Sequence, residues 1–133
     1  MLVTEQEIHD VKKFVFQLNL MKKSVVVVEG KRDVNALKNI GFSGKIIEFH
    51  KFGGIVNFVD TVAKYEKLII LFDRDRKGRY LTRKTIQLLE RRIKIDLSFK
   101  RKLVSITKGK VKYVEQLICY ESYLAKVYGQ IPF

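Results

Sequence analysis

The sequence predicts an α/β fold: a four-stranded parallel sheet with helices on both faces. Two apolar runs and the pattern between them carry the prediction. Val25-Val26-Val27-Val28 and Leu68-Ile69-Ile70-Leu71-Phe72 are unbroken β-branched or aliphatic stretches, the composition of strands buried on both faces. Around them apolar residues recur at helical spacing, so strand and helix alternate, as they do when a parallel sheet is covered on two sides. A strand order of 2-1-3-4 sets the ends of the two runs side by side where the winding reverses, the edge at which open α/β sheets keep their ligands.

The elements follow in order. Thr4-Glu5-Gln6-Glu7 reads as a capping box, and Ile8, Val11, Phe14, Val15 and Leu18 share one face of the helix it opens. His9 falls on that helix as a surface side chain. A strand over Ser24–Val28 ends at Glu29-Gly30, Asp33 caps the next helix, and Val34, Leu37 and Ile40 form its inner face up to Gly41. Lys45–Phe49 is a short strand, His50-Lys51-Phe52-Gly53-Gly54 a loop, and Ile55–Lys64 a helix with Val56, Val59 and Val62 inward. A strand over Lys67–Phe72 precedes an acidic loop and a helix over about Arg79–Arg92. The alternation Ile93, Ile95, Leu97, Phe99 predicts a fourth strand. Residues 100–112 are basic with a turn at Gly109, and Val114, Leu117, Ile118 and Leu124 mark a closing helix.

The 133 residues suffice for one domain, with a motif-bearing core over about 24–97, an N-terminal helix and a basic C-terminal extension. The net charge of +13 is lopsided: residues 74–133 carry 16 Lys/Arg against 5 Asp/Glu, residues 1–73 only 11 against 9. Such a balance favours a polyanion over a solvated lysine-rich surface. The lone Cys119 excludes an intramolecular disulfide and a cysteine-based zinc cluster and reads as packing. With one proline, Pro132, there is no Pro-rich linker. No leader-like amino terminus and no membrane-length apolar run are seen, so the expected location is the cytoplasm.

A carboxylate at the end of so apolar a strand is costly unless it has a task. Glu29 ends one run, and Asp73 and Asp75 end the other. Mg²⁺ takes hard oxygen ligands and commonly only one or two protein carboxylates beside phosphate oxygens. Asp73 and Asp75 suit that pattern, with Mn²⁺ as a substitute ion, and Glu29 either completes the metal site or stays outside it and moves a proton. Asp-x-Asp alone is usually turn chemistry; both motifs ending strands of one β-α-β-α-β unit are far more specific. Gly78 opens the following helix, whose amino terminus favours anions. Arg76 and Arg79 flank that start as candidate phosphate contacts, with Lys77 between them and Lys31 and Arg32 beside Gly30. Gly53-Gly54 ahead of a helix either lets backbone N–H groups approach a phosphate or is a plain turn. The tyrosines 113, 120, 123 and 128 lack a stacking pattern and read as packing. Gly30-Lys31 is no P-loop, because Val25 stands where the first glycine belongs. Asp73–Gly78 is no calcium loop, because Lys77 and Lys84 occupy ligand positions.

These residues resemble the Toprim domain of bacterial primases, type IA and type II topoisomerases, old-family nucleases, recombination-repair proteins and the nuclease that matures bacterial 5S ribosomal RNA. Val26–Leu37 is similar to the family's glutamate-glycine motif, Phe52-Gly53-Gly54 to its glycine turn, and Leu71–Arg79 to its Asp-x-Asp motif with trailing glycine. The chain is most similar to small stand-alone archaeal Toprim proteins related to the 5S maturation nuclease, and Lys112–Leu117 fits that group more loosely. The resemblance implies Glu29 as general acid/base, Asp73 and Asp75 as Mg²⁺ ligands, and a Rossmann-like Toprim fold with a four-stranded parallel sheet. The topoisomerase and primase reactions need further domains, which leaves a Mg²⁺-dependent nuclease acting on RNA or DNA. The alternative is a non-catalytic nucleic-acid-binding or adaptor module that needs a partner protein. A small-nucleotide site is a weaker third.

Overall fold

The computed structural model describes residues 3–129, with side chains through Leu124. The side chain of Tyr128, and Pro132, lie outside the described residues. In order, the elements are α1 (Glu5–Asn19), β1 (Ser24–Val28), α2 (Lys31–Asn39), β2 (Ile46–Glu48), α3 (Ile55–Val62), β3 (Lys67–Ile70), α4 (Arg76–Leu89), β4 (Lys94–Asp96), α5 (Ser98–Ile106) and α6 (Ile118–Gly129). Short 3₁₀ turns at Phe49–Phe52 and Val114–Leu117 lead into α3 and α6. The sheet is parallel with the order β2-β1-β3-β4, as the sequence predicts.

The period of two along a strand explains how one valine run serves two cores. Val26 and Val28, with Ile69 and Leu71, face a layer made by α1, α2, α5 and α6. Val25 and Val27, with Leu68, Ile70 and Phe72, face α3 and α4. All four valines are at most 2% exposed, and burying each fully is worth about 1.5–3 kcal/mol. Among the described residues no helix is long and apolar enough to cross a membrane.

Four local expectations need correction. Val56 points outward, and Phe58 takes its place inside, ringed by Phe49, Phe52 and Phe72. The fourth strand stops at Asp96, whose Oδ1 accepts hydrogen bonds from the Ser98 N–H and hydroxyl (2.7 and 2.6 Å) and turns the chain. Residues 98–106 then form a helix rather than an irregular basic stretch, and Phe99 packs edge-on against Phe14 of α1, their centroids 5.8 Å apart. Ile118 is exposed, the inner positions of the closing segment being Leu117, Tyr120 and Leu124.

The capping box at the amino terminus forms only by half. Thr4 Oγ1 accepts from the Glu7 N–H at 3.1 Å, but the Glu7 carboxylate is buried and binds Lys110 Nζ at 2.6 Å and the Tyr120 hydroxyl at 2.9 Å. This buried ion pair ties α1 to the segment before α6 and holds the Glu7 carboxyl below the usual carboxylate range, the Lys110 hydrogen bond outweighing the opposing effect of burial.

Candidate functional site

β1 and β3 pair in register, Val27 against Ile70, and the pairing continues one step further through the Leu71 N–H to the Val27 carbonyl at 3.0 Å. The chain therefore delivers Glu29 and Asp73 to one rim. Glu29, 5% exposed, accepts a hydrogen bond from the Asp73 backbone N–H through Oε2 at 2.9 Å. Asp73 Oδ1 accepts from the Val114 N–H at 2.8 Å. Asp75 is the N-cap of α4, its Oδ1 accepting from the Gly78 N–H at 2.8 Å. Asp33 Oδ2 reaches back to the Gly30 N–H at 3.1 Å. Each acid thus stands on a backbone donor that fixes its position, a charge-assisted bond of the stronger kind.

Crowding acids in a half-buried place has an electrostatic consequence. Burial, then the Glu29 carboxylate and the charge of Asp75, push the Asp73 carboxyl up to about 7. Burial and the charge of Asp73 also raise Asp33. One cation leans into this cluster from α5. Lys100 is half-buried, its Nζ 3.5 Å from Thr82 Oγ1, and burial lowers its pKa while Asp73 and Glu29 pull it back up. The sequence reading missed Lys100, which sits in a basic run and becomes a site residue only because α5 folds back on β3.

The candidate phosphate contacts separate into two kinds. Arg76 and Arg79 are exposed and, with Arg83 and Lys112, line a cleft of about 570 Å³ beside Asp75. Lys77 is exposed too, but faces His50 across a 3.1 Å contact to its Nε2. Lys31 and Arg32 lie in the first turn of α2, where Arg32 makes a 3.9 Å ion pair with Glu115. Gly53 and Gly54 have φ of 67° and 150° and leave open space where a side chain would stand, so their backbone is approachable from solvent. Gly78 is different: it is buried, its N–H is used by Asp75, and a Cβ there would lie 1.9 Å from the Asp73 carbonyl oxygen. It is the hinge-pin of the acidic loop rather than a phosphate donor. Arg74 is likewise structural, donating to the carbonyls of Gly109 (2.9 Å) and Val111 (3.3 Å), while its N–H binds the Lys112 carbonyl. Through Arg74 and Asp73, residues 109–114 close one side of the site, a long-range tie that spacing along the chain could not reveal.

Among the described residues, no three His, Cys, Asp or Glu side chains are already drawn to metal-ligand spacing. The donor chemistry nonetheless suits a hard divalent ion. Glu29, Asp73 and Asp75 are all oxygen donors, and burial first, then the neighbouring Glu29 and Asp75, make the charged form of Asp73 costly in the absence of a cation.

Comparison with known proteins finds relatives over most of the chain. The Toprim domain profile matches residues 24–106. A UPF0292 protein of Archaeoglobus fulgidus is 39% identical over 97 residues, spanning 72% of this chain and 75% of its own. One from Methanosarcina acetivorans is 36% identical over 110 residues, 81% of this chain and 76% of its own. Among solved structures, a protein from Aquifex aeolicus superposes with a TM-score of 0.65 at 25% identity, covering 80% of this chain and 96% of that one.

Proposed function

This chain belongs to the Toprim domain family, a nucleic-acid-related, metal-binding family, and from that premise we propose that it is a Mg²⁺-dependent nuclease that hydrolyses phosphodiesters of RNA or DNA. The observation that carries the reading is the contact between the Glu29 carboxylate and the Asp73 N–H, which joins acids from two strands at one rim. Asp73 and Asp75 would hold Mg²⁺ or Mn²⁺, which when bound neutralises charge developing on the phosphoryl oxygens, and Glu29 would stay beside the ion, outside its ligand set.

The remaining chemistry belongs to the chain's own groups. The attacking water forms a bond to phosphorus as the bond to the leaving oxygen breaks. Glu29 takes the proton that the water gives up, and the leaving oxygen is protonated from solvent. Lys100 supplies a fixed positive charge next to the acids, favouring the doubly negative phosphorane-like state over the singly negative diester. Arg76 and Arg79 hold flanking phosphates in the cleft by α4, and Lys31 and the open Gly53-Gly54 backbone do the same by α2 and α3.

A second reading has its own supporting observation. Asp73 and Asp75 each spend an oxygen on a backbone N–H, work they would do equally in a non-catalytic nucleic-acid-binding or adaptor module with a protein partner. The deciding experiment is cleavage of mixed RNA and DNA with Mg²⁺ or Mn²⁺, run beside Asp73→Asn and Asp75→Asn. Asparagine keeps an acceptor oxygen for the Val114 and Gly78 N–H groups, so both variants stay folded. Cleavage by the wild type and none by the variants is expected; wild-type protein that binds but never cuts selects the adaptor.

A further inference from the structure

The opposite edge of the sheet carries a second basic feature that the acidic rim does not use. A groove of about 1210 Å³ runs under the amino ends of β3 and β4 and the carboxyl end of α4. Six of the residues lining it are exposed cations: Lys22, Lys23, Arg91, Arg92, Lys94 and Arg101. None of the six has a carboxylate partner among the described residues. Of the three acids in the groove, Asp96 is already paired with Lys67 at 3.1 Å, leaving Glu66 and Glu90 against six cations. Exposed like charges lining one groove attract a multivalent anion more strongly than they attract single counterions. The helix dipole at the end of α4 accounts for one or two of them, but not for Lys22, Lys23 and Arg101, which come from the α1–β1 turn and from α5.

We propose that this groove is a second binding surface for a nucleic-acid backbone, engaged by substrates long enough to run from the acidic rim to the amino edge of the sheet. The inference rests on the nucleic-acid partner assigned above and adds a length requirement to it. Lys67 in the groove and Asp73 at the rim are joined by β3 and its extension, roughly 20 Å of extended chain. A dinucleotide, roughly 7 Å long with a single phosphodiester, is too short to touch both edges, whereas a duplex of roughly 25 base pairs reaches both.

The test is the salt dependence of binding for the full chain and for a triple variant, Arg91→Glu with Arg92→Glu and Lys94→Glu, all exposed positions whose folding is checked by circular dichroism. On the long duplex the variant should bind about tenfold or more weakly, with the slope of log affinity against log salt reduced by about 2 to 3 in magnitude. On the dinucleotide it should match the wild type. Equal losses on both lengths, or no change on the long duplex, overturn the proposal. So does a stronger effect of the substitution on binding to vesicles rich in anionic lipid than on binding to duplex. If the length-dependent loss appears in a protein that cuts nothing with Mg²⁺ or Mn²⁺, the groove stands and the nuclease reading falls. If cleavage of the dinucleotide survives while the long-duplex slope does not change, the reverse holds.

Discussion

The two edges of one sheet solve opposite electrostatic problems. At the carboxyl edge, negative charge is half-buried and rigid: Glu29 rests on the Asp73 N–H, Asp73 on Val114, and Asp75 on Gly78. At the amino edge, positive charge is exposed and unpaired, on Lys22, Lys23, Arg91, Arg92, Lys94 and Arg101. The first arrangement anchors each acid on a backbone donor, the kind of positioning that chemistry at a phosphorus atom requires. The second leaves long, mobile side chains that follow a backbone without fixing it. Rigidity is concentrated where bonds would be broken, and adaptability where only charge has to be matched.

The largest effect that bears on this contrast should come from Gly78→Ala. Its Cβ would meet the Asp73 carbonyl oxygen at 1.9 Å, so either α4 or the acidic loop must move, at a cost of about 3 kcal/mol. A denaturant midpoint little changed from wild type would show that the acidic edge is softer than described. Glu7→Gln comes next and lies away from both edges. It removes the charge that binds Lys110 and Tyr120 and should cost about 2 kcal/mol. Because the folded carboxyl titrates below its usual value of 4.5, its contribution is present above that pH and fades as pH falls through the folded value. The variant should therefore lose stability near neutrality and show a flatter acid limb in melting temperature against pH; a parallel acid limb would contradict the assignment. Asp75→Ala removes the N-cap of α4 and should cost about 1 kcal/mol, with Asp75→Asn close to neutral. Equal losses for the two would mean that the charge of Asp75, not its cap, steadies the helix. Smallest of all, Arg91→Gln at the amino edge should shift stability by less than about 0.5 kcal/mol, while still reducing the salt slope of binding.

What the sequence made legible was whatever depends on near neighbours. Four valines in a row specify a doubly buried strand wherever they occur, and Glu29 and Asp73 stand out because acids rarely end such runs. The losses lie where a residue's task is set by distant chain. Glu7 looks like a reciprocal cap because its actual partners, Lys110 and Tyr120, are 103 and 113 positions away. α5 was hidden because Lys100, Arg101 and Lys102 dilute its apolar face to Phe99 and Leu103, and Lys100 was hidden with it. Gly78 read as a phosphate donor because only the folded loop shows how closely Asp73 approaches it. Val56 and Phe58 were exchanged because a short helix admits either as its inner face until the aromatic cluster of Phe49, Phe52 and Phe72 is in place.

On this account Asp73 and Asp75, with Glu29 beside them, form one divalent-cation site serving the chemistry of a phosphodiester. Calorimetric titration with Mn²⁺ tests it most directly, using wild-type protein and Asp73→Asn with their melting curves compared beforehand. A saturable binding event in the wild type that is lost in an equally folded Asp73→Asn is the result predicted here. The same heat of binding in both proteins, or none in either, would contradict it.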